Sequence, residues 1–420
     1  MSILKRLSSS SNAEKFVALT FFQNLYLYNH VGTLYMQSRG LSLLQVNSIW
    51  SIIVLTVFLT EVPTGVIADR IGRKRSVVAA LFLQFLGEFF YIFAPGYVAF
   101  VLIAILSGIG YSFLSGANEA LIYDSLPAEY RETVMKQAMG RVGAAYQLAF
   151  FVAPLLGGLV ISELVLSKYL VGIALTAASV FVAFLISLTL KEPPALYCHQ
   201  VTGILQILKN GLAQVRRNRK IQRIAAVAIL TGAFSNTLVS FYQPYFVQFG
   251  LTTSLPIGTA LSLGGLAAFL VLSNILAIEH RMGRLGLFFF SFFPGVLYLL
   301  LAIVPNIPVL FPVFILTYAF ADAKNPLIST YQNEQIESAS RATTISLINT
   351  IGRMYVASVS LLLGWIANHS ISAVWVVIGA LIMFATLLLR VDRISIHLAE
   401  ETLGTASEMM HSRKFHARHG

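Results

Sequence analysis

Apolar runs of roughly 20 residues recur from one end of the chain to the other, and this feature removes most architectures from consideration. A run of that length crosses the hydrocarbon of a bilayer as a helix. Composition agrees: of 420 residues, 57% are hydrophobic and 11% charged, against roughly 25% charged in soluble domains. The reading is an all-α polytopic membrane protein. Twelve spans are expected, numbered in order at 15–37, 43–67, 76–94, 97–123, 139–162, 169–190, 224–248, 256–279, 285–305, 308–331, 343–367 and 371–391. They divide into two six-span bundles, 1–190 and 224–391, joined by a connection at 191–223 and followed by a tail at 392–420.

The formal charge of +11 does not point to nucleic acid. All but five of the 29 Lys and Arg residues fall in segments assigned to one side of the membrane. Arg39 and Lys168 fall on the other side, and Arg141, Lys324 and Arg353 lie in or beside spans. Short cytoplasmic loops retain Lys and Arg, so both termini are expected in the cytoplasm and the bilayer is the partner of the whole surface. A single cysteine, Cys198, rules out an internal disulfide and a Cys-rich metal site. The N-terminus lacks a cleavable signal pattern, so the first span is expected to act as an uncleaved anchor. In the connection, Ile204, Leu205, Leu208, Leu212 and Val215 recur at helical spacing ahead of the basic run Arg216 to Lys220. They read as an amphipathic helix on the inner membrane surface, with a solvated linker as the alternative. Trp365 and Trp375 flank Asn368-His369-Ser370 as an outer aromatic belt would. That loop is too tightly held between spans to be read as a glycosylation site.

Between spans 2 and 3 runs Glu61 to Ser76, where an apolar stretch ends in a tight basic turn and a second begins. A weaker copy, Glu279-His280-Arg281-Met282-Gly283-Arg284, follows span 8. Asn118 in span 4 corresponds to Asn325 in span 10, and Gly140-Arg141 to Gly352-Arg353. Two similar halves imply a pseudo-two-fold axis along the membrane normal with a substrate path between them.

Within the first loop, Gly65-x-x-Ala68-Asp69-Arg70-x-Gly72-Arg73-Lys74 resembles the loop 2–3 motif of the major facilitator superfamily of transporters, and the resemblance covers nearly the whole chain. A second match, Ala153-Pro154-Leu155-Leu156-Gly157-Gly158 in span 5, is similar to the proline–glycine motif of that family's exporters and antiporters. Read without the family, it is a small-residue packing face with a bend at Pro154. Many members place an Arg in span 4, four residues before a Gly; here Gly108 is present but the Arg position is Ala104, so no proton role of that Arg carries over.

Polar side chains recur on spans 1, 4, 7 and 10. Span 1 has Gln23, Tyr26, His30, Thr33 and Gln37 at helical spacing; span 4 has Ser107, Tyr111, Ser115, Asn118 and Glu119; span 7 has Asn236, Ser240 and Gln243; span 10 has Tyr318, Asp322, Asn325 and Ser329. The resemblance implies that these four spans line a central cavity. Interhelical hydrogen bonding is the plainer reading of any one stripe. A charge at mid-membrane costs about 2.5–3.5 kcal/mol on insertion scales, so Glu119 and Asp322 are candidates for proton coupling, with a structural role or cationic-substrate binding as the alternative. His30 is a candidate substrate or proton ligand, or a hydrogen-bonded packing residue. Lys324 is expected to pair with another helix or to snorkel, and Glu88 in span 3 to be structural. The resemblance further implies an inner gate built from Gly65, Asp69, Arg70, Gly72, Arg73, Asp124 and Arg141. In it Arg73 pairs with Asp124, and Asp69 caps a neighbouring helix.

No Gly-x-x-x-x-Gly-Lys-Ser/Thr loop occurs, so a transporter of this kind draws on ion gradients. The reading is a monomeric secondary active transporter working by alternating access. It exports a small organic or amphipathic solute in exchange for protons, with no cofactor and no resident metal, and sits in a bacterial inner membrane. One rival is a proton-coupled importer of a nutrient or metal chelate. Another, from a different class, is a membrane sensor or receptor, which would ordinarily carry a soluble output domain. An enzyme is not expected, because no His-rich cluster and no Ser/His/Asp set is placed for catalysis.

Overall fold

The computed structural model describes residues 11–115, 117–126, 131–192, 215–216, 218–232, 234–282, 285–336 and 341–391. The amphipathic segment expected at 204–215 falls almost wholly outside them, as do the tail and part of the second basic loop. Among the described residues the regular structure is helical, apart from one isolated bridge between Glu163 and Thr253. Ten helices are long and apolar enough to cross a membrane, and they correspond to spans 2 to 8 and 10 to 12. Span 9, Gly286–Ala302, is shorter at 17 residues, and span 1 begins with the 13-residue helix Ser11–Gln23. Large apolar side chains such as Leu59, Phe93, Val98, Ile303 and Phe384 are more than half exposed, as lipid-facing positions require.

The helix ends have local causes. Span 2, Leu43–Ile71, starts at a capping box in which Ser42 and Gln45 exchange hydrogen bonds. It ends at Gly72, whose φ of 96° suits glycine. Span 5, Arg131–Val160, carries Pro154 within it. Span 10 starts at Asn306, whose side chain accepts from Val309 N.

Spans 1, 4, 7 and 10 depart from the continuous helices expected of them. Span 1 is Ser11–Gln23, a 3-10 turn at Asn29–Val31, and Gly32–Ser38. Span 4 is Tyr97–Leu114 and Ala117–Asp124; span 7 is Arg219–Leu230 and Phe234–Gln248; span 10 is Ile307–Ala321 and Asn325–Gln335. Span 8 is also divided, into Ser254–Ser273 and Ile275–Met282. In span 10 the cause is visible. Pro326 has no N–H, and its ring opposes the carbonyl of Asp322, four residues earlier.

The chain forms two compact units. The first comprises Met1–Ile204, Asn236–Leu266 and Val356–Ile371; the second comprises Leu205–Ser235, Ala267–Tyr355 and Ser372–Gly420. In the first unit Phe16, Leu19, Val77, Leu81, Leu121, Ala138 and Ala183 pack spans 1, 3, 4, 5 and 6 into one core. In the second, Ile224, Val227, Ile275, Leu287, Phe290, Leu327 and Ile328 do the same for spans 7 to 10.

Candidate functional site

The break in span 1 frees backbone groups that lipid cannot satisfy, and side chains of other spans take them up. Leu27 N donates to Thr176 Oγ1 of span 6 at 3.0 Å. The Gln243 amide of span 7 bridges the break: Nε2 donates to Asn29 O at 3.0 Å, and Oε1 accepts from Thr33 N at 2.8 Å. Because the helix is interrupted, Gln23, Tyr26, His30 and Thr33 do not form the single face that their spacing implied. Gln23 points instead toward span 3, with Nε2 donating to Gln84 Oε1 at 2.8 Å. Tyr26 Oη lies 3.4 Å from Tyr111 Oη of span 4.

His30 is fully buried, with Nε2 2.5 Å from Ser254 Oγ at the start of span 8. The span-5 motif is built around it. A methyl group on Gly157 would overlap the Leu27 carbonyl and come within 2.7 Å of His30 Cε1, and one on Gly158 would lie 2.8 Å from Leu255 Cα. A methyl group on Gly258 would overlap the Pro154 carbonyl. Pro154, Gly157 and Gly158 are buried, and the absence of side chains lets spans 1, 5 and 8 meet backbone to backbone.

At the basic end, Arg73 Nη1 is paired with Asp124 Oδ2, and both side chains are less than a fifth exposed. Glu61 Oε1 accepts from Ser115 Oγ at 3.3 Å. Gly65, Asp69, Arg70 and Arg141 are exposed. The cap at the start of span 3, Arg73–Phe93, comes from Glu192, whose two carboxylate oxygens accept from Arg73 N at 2.8 Å and Lys74 N at 2.9 Å. An anion there meets unpaired N–H groups and the positive end of the helix dipole. A methyl group on Gly72 would lie 3.0 Å from that carboxylate, so this glycine serves both the turn and the approach. Asn12 is a further tie that spacing did not reveal: its amide joins Ser125 Oγ at 2.7 Å and the Lys191 backbone. Both contacts are remote in sequence.

Asn118 and Glu119 open the second half of span 4, so they do not continue the face of Ser107 and Tyr111. Ser115 and Glu119 are exposed. Span 7 keeps its stripe on one helix, with Asn236 exposed, Ser240 half-buried and Gln243 buried. In the second unit Tyr318 is half-buried on the first part of span 10, and Asp322 lies in the break, accepting from Asn325 Nδ2 at 3.1 Å. Lys324 does not snorkel, and among the described residues it pairs with no other helix: it is 1% exposed, and Nζ donates to Ala321 O at 3.2 Å. A cation at the end of Ile307–Ala321 meets the negative end of its dipole.

Comparison with known proteins adds to this geometry. The Major Facilitator Superfamily model matches residues 16–354. An MFS-type transporter of Bacillus subtilis, YxaM, is 22% identical over 377 residues, covering 86% of this chain and 90% of its own. The cis,cis-muconate transport protein of Acinetobacter baylyi is 25% identical over 329 residues, covering 75% and 77%. The crystal structure of the nucleoside transporter NupG, as its D323A mutant, superposes with a TM-score of 0.72 at 15% identity, covering 90% of this chain and 99% of that one.

Proposed function

The chain belongs to the major facilitator superfamily, hence to the secondary transporters of small molecules embedded in membranes, and from that premise we propose that it is a proton-coupled exporter working by alternating access. The observation that carries this reading is the contact built around His30. Spans 1 and 5 meet spans 7 and 8 there through Gly157, Gly158, Gly258, Ser254 and Gln243, at the end remote from the basic loop. By the charge bias this is the outer end, so the reading makes this contact an outer closure. The contact includes glycine faces and a few hydrogen bonds from His30, Gln243 and Tyr242, which can be broken and remade. That suits a closure that opens in each cycle. The exporter-type motif lies inside the closure, and this favours export. Asn118, Asn236 and Ser240 in the first unit, and Tyr318 and Asn325 in the second, are the polar groups to test against a solute, with Glu119 and Asp322 as the first carboxylates to test for coupling. The charge bias and the bacterial relatives support a bacterial inner membrane with both termini inside, and the reading takes the protein as a monomer.

The first experiment is proton release from purified protein in weak buffer as candidate organic solutes are added to wild type, Glu119→Gln and Asp322→Asn. Release on binding that one variant loses is the expected result. Saturable binding with no release in any of the three overturns antiport. The closure has its own test. In a Cys198→Ser background, Thr33→Cys is expected to react slowly with an impermeant maleimide. Adding Gly157→Ala should speed that reaction by about tenfold or more, since overlap with backbone cannot be relieved by a rotamer change. An unchanged rate would sink the closure.

A second reading is proton-coupled uptake, for which the likeness to the muconate transport protein offers an organic dianion as the solute to test. An organic dianion taken up with protons would bind with proton uptake rather than release, so the same experiment separates the two.

A further inference from the structure

Span 3 carries Glu88 in its second half, where the sequence suggested packing alone. The groups around it are phenols. Tyr28 Oη donates to Glu88 Oε2 at 2.9 Å, and the Tyr26 phenol lies beside the same carboxyl. The Tyr28 ring stacks on Tyr91 at 5.3 Å, and Tyr26 Oη is 3.4 Å from Tyr111 Oη.

Every element packed against span 3 can be checked for a counter-charge. The span-1 break supplies Tyr26 and Tyr28, span 3 itself supplies Tyr91, and the first half of span 4 supplies Tyr111. Span 6 presents Tyr169 only beyond Tyr35, with ring centroids 6.3 Å apart. Span 2 carries its charges, Glu61, Asp69 and Arg70, near the basic turn. Glu119 and Asp124 belong to the half-helix that meets Arg73 at the other end of span 3. Among the described residues no Lys, Arg or His side chain pairs with Glu88.

A carboxyl in a span without a cation is balanced by a proton, and its conjugate base is held by donated hydrogen bonds. Two features make this carboxyl more than a packed acid. Both phenols sit at the interruption of span 1, in the stretch between Gln23 and Asn29, so any rearrangement of that break remakes the Tyr28 hydrogen bond and the phenols around Glu88. The hydroxyls of Tyr26 and Tyr111, 3.4 Å apart, also lead from beside Glu88 toward the span-4 face that carries Tyr111.

We propose that Glu88 is an exchangeable proton site, read by the break in span 1 through Tyr26 and Tyr28 and connected to the span-4 face through Tyr111. On release, the Glu88 O–H bond breaks and the proton passes to the Tyr26 oxygen. Tyr26 hands its own proton to Tyr111, which passes its own to a water molecule at the span-4 face; that water leaves as hydronium, both phenols end neutral and Glu88 ends as a carboxylate. The role in transport rests on the proton-coupled reading, but the site itself does not.

The test is infrared difference spectroscopy of the purified protein, without solute or gradient, as pH is stepped between about 5 and 9 and as water is exchanged for heavy water. Wild type should show a protonated-carboxyl band whose amplitude follows pH. Glu88→Gln should lose that band, whereas Glu119→Gln and Asp322→Asn should keep it. Tyr28→Phe should move the band, and Tyr26→Phe and Tyr111→Phe should each slow its hydrogen–deuterium exchange by about tenfold. Should Glu88→Gln fail to elute as a single species, Glu88→Asp must shift the band. A band that Glu88 substitutions leave unchanged, or one that they remove but that never responds to pH, overturns the site. Unchanged exchange in both phenylalanine variants overturns the path. A pH-responsive Glu88 band in a protein that releases no proton on binding solute would count against antiport while leaving the site standing.

Discussion

The two repeats anchor the same half-helix with different chemistry. In the first, Ala117–Asp124 is tied through Asp124 to Arg73 at the start of span 3 by an ion pair. In the second, Asn325–Gln335 is tied through Tyr331 to Glu279 at the end of span 8, by a phenol donating to a carboxylate at 2.5 Å. Asp124 and Tyr331 occupy matching places, each six residues beyond the matched asparagine (118 to 124, 325 to 331). Only the first of these ties depends on two full charges, and only there does the loop carry the complete family motif. The difference teaches that the repeats share a framework while the charge-sensitive element is confined to one of them.

Four results would break or sharpen that comparison, all read as transport rates of the solute that proton release identifies. The largest effect is expected from Arg73→Gln or Asp124→Asn. Each should slow transport about fivefold, the factor that corresponds to a partly exposed pair worth about 1 kcal/mol. Exchanging the two charges, Arg73→Asp with Asp124→Arg, should restore most of the rate, and failure to do so would mean that the pair is not the operative contact. Asp69→Asn should slow transport about threefold with expression and insertion intact, a loss of roughly 0.7 kcal/mol; wild-type rates in that variant would remove Asp69 from the gate. Tyr331→Phe should cost no more than about twofold, as the loss of one neutral donor allows. A larger loss than at Asp124 would reverse the assignment of the charge-sensitive element. The smallest expected effect is that of salt. Raising ionic strength to about 1 M should slow wild type slightly and Asp124→Asn not at all, because screening acts on the charged pair.

Legibility in the sequence was uneven, for physical reasons. The spans could be read because burial in lipid demands long apolar helices whatever their neighbours are. The Arg73–Asp124 pair could be anticipated because both residues end spans on the same side. The face of span 1 could not: its spacing suits a helix, but Thr176 and Gln243 supply the hydrogen bonds that an interrupted backbone needs. Pro326 did signal the break in span 10, and a stricter reading of that proline would have placed Lys324 at a helix end. Glu88 was set aside for lying off the central spans, because the phenols that surround it come from the segment that proved not to be helical.

By itself, then, the sequence determined the solvent, the apolar runs and the family. Each follows from local composition or from short spaced motifs. Only the tertiary structure decided where helices break, which carboxylate caps span 3, and which groups meet at His30 and Glu88. Those outcomes depend on backbone groups finding partners more than a hundred residues away, such as Glu192 at Arg73 and Gln243 at Asn29. In lipid every such group must find one.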